Sequence, residues 1–133
     1  MDERRFAEKL ASEIIVWLTT VRHDGQPQTS PVWFVWDDGS FLIYSRRGQQ
    51  KVRNILANPR VSLALEQDGT GSDVATIEGR AVIDEEAPRA DELEPYVVKY
   101  GPRMEAISGS LEDFAQDYRV ALRVEVTRRR IFD

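Results

Sequence analysis

The chain contains no cysteine and a single histidine, His23. Without thiols there is neither a disulfide framework nor a thiolate metal site, and one imidazole leaves a transition-metal centre short of its usual ligands. No metal site is therefore expected. Nowhere do 18 apolar residues run together, and the opening MDERRFAEKL lacks the apolar run of a signal peptide. The expectation is a cytoplasmic protein with no membrane span. Also missing are G-x-G-x-x-G, G-x-x-x-x-G-K-[ST] and G-x-S-x-G, which leaves a Rossmann dinucleotide site, a P-loop and a hydrolase nucleophile elbow without support. The net charge of −5 argues against a general binder of nucleic acid or membrane surfaces.

What is present fits one globular domain spanning 1–133, with 41% apolar and 31% charged residues. Phe6, Leu10 and Ile14 recur at four-residue steps, the spacing of a short amphipathic helix. IIVWLTTV follows with strand composition. His23-Asp24-Gly25 then signals a tight turn. His23 reads as a surface turn residue, because no second histidine or cysteine is there to build a nucleophile pair. PQTSPVWFVW reads as the next strand, Asp37-Asp38-Gly39-Ser40 as another hairpin turn, and FLIYS as a third strand. Pro31 cannot donate to a ladder, so its strand is expected at an edge, a bulge or a ligand-facing break.

VSLALE, a turn at 67–73, and VATIEGRAVID continue the meander, with Gly79 marking a bulge or close backbone approach. Leu93, Tyr96, Val97 and Tyr100 then adopt helical spacing, which Gly101-Pro102 is expected to stop. Ser110 to Asp113 matches a capping box ahead of Leu111, Phe114, Ala115 and Tyr118. VALRVEVTRRRIF closes the chain as an alternating strand. About six strands in hairpins with appended helices, and no βαβ alternation, predict a mainly β fold: a small closed or nearly closed antiparallel barrel.

One stretch stands out by charge. Between Ser45 and Arg60 lie Arg46, Arg47, Lys51, Arg53 and Arg60 and no acid, a local +5 within an acidic chain. Here the FLIY strand crosses a Ser-Arg-Arg-Gly turn into the helix QQKVRNILAN, which Asn58-Pro59 ends. A strand feeding a helix N-terminus among cations is a physically sensible phosphate cradle. Val52, Ile55 and Leu56 also form an apolar stripe, so the same helix reads equally as core with a solvated basic face. Glu85-Glu86 looks like solvated charge, and no side chain is assigned acid/base chemistry.

The run WLTTVRHDGQPQTSPVWFVWDDGSFLIYS, then KVRNI, NPRVSLAL and VATIEGRA, resembles the pyridoxamine 5′-phosphate oxidase-like split-barrel flavoproteins, and among them the short actinobacterial F420-dependent branch. The resemblance covers residues 14–132. It implies a homodimer of six-stranded split β-barrels with cofactor sites between the subunits. Carried over by position, Gln28, Ser30, Pro31, Val32 and Trp33 would lie along the (deaza)flavin ring, with Thr29 between them. Tyr44, Ser45 and Arg46 would stand at the end of the next strand. Lys51 matches the family's phosphate-binding lysine, Asn54 follows one turn later, and the Asp73-Val74 turn would approach the cofactor from the other subunit. Many relatives carry a further basic residue where this chain has Gln49 and Gln50. The function so implied is hydride transfer between reduced F420 and a small electron-poor acceptor. The alternatives are an FMN-binding pyridoxamine 5′-phosphate oxidase-like enzyme and a non-catalytic flavin or tetrapyrrole carrier on the same barrel.

Overall fold

The computed structural model describes residues 3–66 and 69–132, so the first part of the turn expected at 67–73 lies outside the described residues. The order is α1 (Glu3–Ser12), β1 (Val16–Val21), β2 (Pro27–Val32), β3 (Val35–Asp37), β4 (Ser40–Ser45), α2 (Gln50–Ala57), β5 (Arg60–Glu66), β6 (Val74–Ile83), α3 (Glu94–Ser108), α4 (Leu111–Asp117) and β7 (Val120–Phe132). The strands form one sheet in the order β2-β1-β5-β6-β7-β4-β3, and every pairing is antiparallel. The sheet curls so that β1, β4, β5, β6 and β7 share one apolar cluster, including Val16, Leu18, Phe41, Ile43, Leu63, Ile77 and Leu122. This is the expected mainly β split barrel, with seven strands rather than six.

The extra strand comes from one run that serves both edges. PQTSPVWFVW does not continue straight: β2 pairs with β1 at one end of the sheet and β3 with β4 at the other. Trp33 and Phe34 form the corner between them. Phe34 leaves the ladder there, and side chains take over its backbone groups. Its N–H donates to the Tyr100 hydroxyl at 2.9 Å, and its carbonyl accepts from Lys99 Nζ at 3.0 Å. Pro31 sits on an edge strand, where its missing N–H costs no interior hydrogen bond.

β4 is the pivot of the core. All of Ser40–Ser45 is buried, because Phe41 and Ile43 face the barrel cluster while Leu42 and Tyr44 face a second cluster under α3 and α4. That double burial explains why its sequence is continuously apolar instead of alternating. The hairpin before it needs Asp38 and Gly39 at φ 52° and 77°, the left-handed pair of a tight two-residue turn. Gly79 does mark a bulge: the β6–β7 register shifts at Glu78/Gly79, and a Cβ on Gly79 would stand 2.6 Å from the Glu125 carbonyl oxygen.

Three local expectations need correction. The α1 helix ends at Ser12, so Ile14 is outside it and packs against the second cluster instead. Leu56 is 70% exposed, and Asn54 takes the inward place beside Val52 and Ile55. Gly101-Pro102 does not stop α3, which runs on to Ser108. An internal proline costs about 3 kcal/mol. Here its ring is on the exposed side while Tyr96, Tyr100 and Met104 are buried on the other, and that burial offsets the cost. Ser110 caps α4 as expected, its Oγ accepting from the Asp113 N–H at 3.0 Å.

Candidate functional site

At the junction of β2, β4, α2 and the helical layer lies a cavity of about 410 Å³. Pro31, Val32 and Trp33 bring the edge strand and its corner to it, and Tyr44, Ser45 and Arg46 bring the end of β4. Gln49 and Lys51 come from the start of α2. Tyr96 and Ile107 of α3, Phe114 of α4 and Tyr118 complete the wall.

The turn between β4 and α2 determines how this end of the cavity is charged. Gly48 takes φ 74°, and Gln49 leads into the helix with its carbonyl accepting from the Val52 N–H at 3.1 Å. No side chain caps α2, so among the described residues the N–H groups of Gln50 and Lys51 remain donors at its start. Lys51 is half-buried, and burial alone moves its ammonium below the usual lysine pKa, with no carboxylate opposing the shift. Arg46 is exposed at the mouth, its guanidinium 5.0 Å from the centre of the Tyr118 ring. A partly desolvated ammonium with no ion-pair partner among the described residues, beside free helical N–H groups, favours an anion.

The rest of the basic stretch does other work. Arg53 braces the turn, donating to the Gly48 carbonyl and to Gln50 Oε1, both at 2.6 Å. Arg47 borders a separate cavity with Asp84 and Arg119. Arg60 stands on the sheet opposite Arg80. Only Arg46 and Lys51 of the five reach the cavity.

Pro31, Val32, Trp33, Tyr44, Ser45, Arg46 and Lys51 are thus brought together, whereas Gln28, Ser30 and Asn54 are not among the lining residues. Asn54 is buried, and its amide is fully engaged: Nδ2 donates to Thr20 Oγ1 at 2.9 Å and to Gln28 Oε1 at 3.0 Å, while Oδ1 accepts from Gln50 at 2.9 Å. It ties α2 to β1 and β2. Asp73 is held by Arg5 at 2.5 Å and Lys9 at 3.3 Å. His23 is exposed on its turn, away from the cavity.

The aromatic wall is a stack. Trp33 stacks with Tyr100 (4.7 Å, 5°) and with Phe114 (5.6 Å, 14°). Phe114 in turn stacks on Tyr118 (4.2 Å, 13°). Sequence reading placed Tyr96, Phe114 and Tyr118 in the core by their helical spacing and gave no sign that they border a site. That they do depends on α3 and α4 folding back over β4. Tyr44 donates its hydroxyl to the Pro88 carbonyl at 2.7 Å, and burial pushes both its phenol and that of Tyr96 well above the usual range. The lining contains no carboxylate and no imidazole, so it offers anion binding and a flat apolar wall rather than a general acid or base.

A family model described as pyridoxamine 5′-phosphate oxidase matches residues 3–132. Among solved structures, a conserved hypothetical protein from Mycobacterium tuberculosis superposes with a TM-score of 0.80 at 25% identity, over 100% of this chain and 85% of that one. A haem storage protein from Vibrio cholerae gives 0.73 at 19% identity, over 98% and 94%. An F420 reductase gives 0.62 at 24% identity, over 92% and 94%. The last two likenesses concern the fold alone.

Proposed function

The chain belongs to the pyridoxamine 5′-phosphate oxidase family, and from that premise we propose that it is an oxidoreductase that binds a deazaflavin of the F420 type and passes a hydride between it and a small electron-poor organic acceptor. The observation that carries this reading is Lys51: a half-buried ammonium with no acidic partner among the described residues, beside the uncapped start of α2, in a cavity walled by Trp33, Tyr96, Phe114 and Tyr118. The choice of a deazaflavin is made because an F420 reductase is among the proteins that share this fold.

In this reading Lys51, the first N–H groups of α2 and Arg46 hold the anionic part of the cofactor. Pro31, Val32 and Trp33 set the edge against which its ring lies, and Tyr44 and Ser45 close the end of β4. Gln28 and Asn54 act as positioning residues, fixing α2 relative to β2 through their mutual hydrogen bond, and Ser30 belongs to the same edge strand. The bound deazaflavin supplies two-electron hydride chemistry. The protein's share is to bind, orient and exclude water, which fits a lining without carboxylate or imidazole.

The working unit is proposed to be a homodimer with cofactor sites between subunits. Its support is the apolar surface left on and beside β1, where Ile15 and Trp17 are 41% and 44% exposed.

A side-by-side fluorescence titration with F420 and FMN tests the cofactor. Tight F420 binding with weak FMN binding is expected. The reverse order moves the protein to an FMN-dependent reaction, and binding of neither overturns the assignment.

A further inference from the structure

Between α1, β3 and another flank of α3 a second cavity opens, of about 570 Å³, within the range that takes a small organic ligand. Its walls are Phe6 and Leu10 of α1, Val35 and Trp36 of β3, and Pro95 and Val98 of α3. The Phe6 and Trp36 rings meet edge to face at 5.8 Å, which gives the site a rigid aromatic corner. Trp36 and Val98 are 38% and 76% exposed, so the cavity communicates with solvent.

One cation in it has no ion-pair partner among the described residues. Lys99 lies half-buried in the wall and donates to the Phe34 carbonyl at 3.0 Å and weakly to the Leu10 carbonyl at 3.5 Å. Its ammonium stands 3.8 Å from the centre of the Phe34 ring. These contacts fix the head of the side chain and, among the described residues, leave one of its three N–H groups without an acceptor. Among the described residues no carboxylate forms an ion pair with it; burial pulls its pKa down to about 8, and the acid that acts on it, Glu13, is itself bound to Lys9 at 3.1 Å. The other charges in the lining, Glu3 and Arg129, neutralise each other in an ion pair. The arrangement is therefore an apolar pocket with one fixed, unpaired positive charge. An ammonium held away from water gains most from a desolvated anion with an apolar body.

We propose that this cavity binds an amphipathic monocarboxylate, an aliphatic or aromatic acid whose carboxylate accepts from Lys99 and whose apolar body rests on Phe6, Trp36 and Val98. The site is separate from the one assigned to the cofactor and does not depend on that assignment, since no residue lines both cavities.

The test is calorimetric titration of the protein with octanoate, octan-1-ol and octylamine. Octanoate is expected to bind best and octylamine worst. Lys99→Met keeps the aliphatic stem and should weaken octanoate about ten- to hundredfold, with little change for octan-1-ol. Ala7→Trp, on the exposed side of α1 and within the lining, should block octanoate by filling the cavity even if Lys99→Met fails to fold. Lys51→Ala should leave octanoate binding unchanged. Octanol binding as tightly as octanoate, octanoate affinity surviving both cavity variants, or octanoate affinity lost in Lys51→Ala would each overturn the proposal.

Discussion

The indole of Trp33 stacks on the ring of Tyr100, centroids 4.7 Å apart and 5° from parallel, and on Phe114 at 5.6 Å and 14°. The indole is thus packed against aromatic rings of α3 and α4 while it also lines the cavity. It also spans the corner where the chain passes from one edge of the sheet to the other, locking α3 and α4 onto that corner.

Trp33→Ala should therefore read first as a stability defect. Loss of a stacked, partly buried indole is expected to cost about 3 kcal/mol. Urea unfolding followed by far-UV circular dichroism measures this. A shift below about 1 kcal/mol would mean that the stack contributes little beyond its contacts.

Gly79 has no room for a side chain. A Cβ there meets the Glu125 carbonyl oxygen at 2.6 Å and Val124 Cγ1 at 2.7 Å. Because backbone must move, Gly79→Ala should destabilise by about 1–3 kcal/mol. The comparison is thermal melting against Gly25→Ala, where nothing lies near the new Cβ and only the φ of 89° is unfavourable.

Lys9 and Glu13 form a buried ion pair, 3% and 4% exposed, with Nζ 3.1 Å from Oε2 and a further bond from Nζ to the Asp73 carbonyl at 2.7 Å. Burial raises the Glu13 pKa and the Lys9 hydrogen bond opposes that rise. Lys9→Met removes the opposition and should cost about 3–5 kcal/mol, since it strands a buried carboxylate. Lys9→Met combined with Glu13→Leu should recover most of the loss. A double variant as unstable as the single one would show that the pair does more than neutralise itself.

Arg123 bonds Asp84 at 2.9 Å and Asp37 at 3.1 Å, joining β7 to the residue after β6 and to the end of β3. Its hydrogen bond holds the Asp84 carboxyl below the ordinary value of 3.8. A depressed folded-state pKa contributes stability above the unfolded value, and that stability is lost as pH falls from about 3.8 through the folded one. Between about pH 6 and about pH 3 the wild type should lose more stability than Arg123→Gln. Equal losses would remove this group from the acid response.

How much of this was legible depended on whether the signal was local. Turn chemistry at Asp38-Gly39, the steric need at Gly79 and the Ser110 cap are written in a few adjacent residues, and the structure follows them. Pro102 misled because its cost is local while the burial of Tyr100 and Met104 that outweighs it is tertiary. The break at Trp33-Phe34 was invisible for a related reason: the groups that satisfy Phe34 come from α3, 65 and 66 residues later. Arg46 and Lys51 could be picked out by charge. The helical wall facing them could not, because Tyr96 and Phe114 have the same spacing whether they border a cavity or only a core.

The central claim is that Lys51 is the anion anchor of a deazaflavin site. Its most direct test is the dissociation constant of F420 for wild type and Lys51→Ala, measured by cofactor fluorescence at fixed ionic strength with folding checked by circular dichroism. A charge-assisted contact of this kind predicts about a ten- to hundredfold weaker complex in a folded variant. Unchanged affinity in the folded variant would contradict the account and place the anion elsewhere.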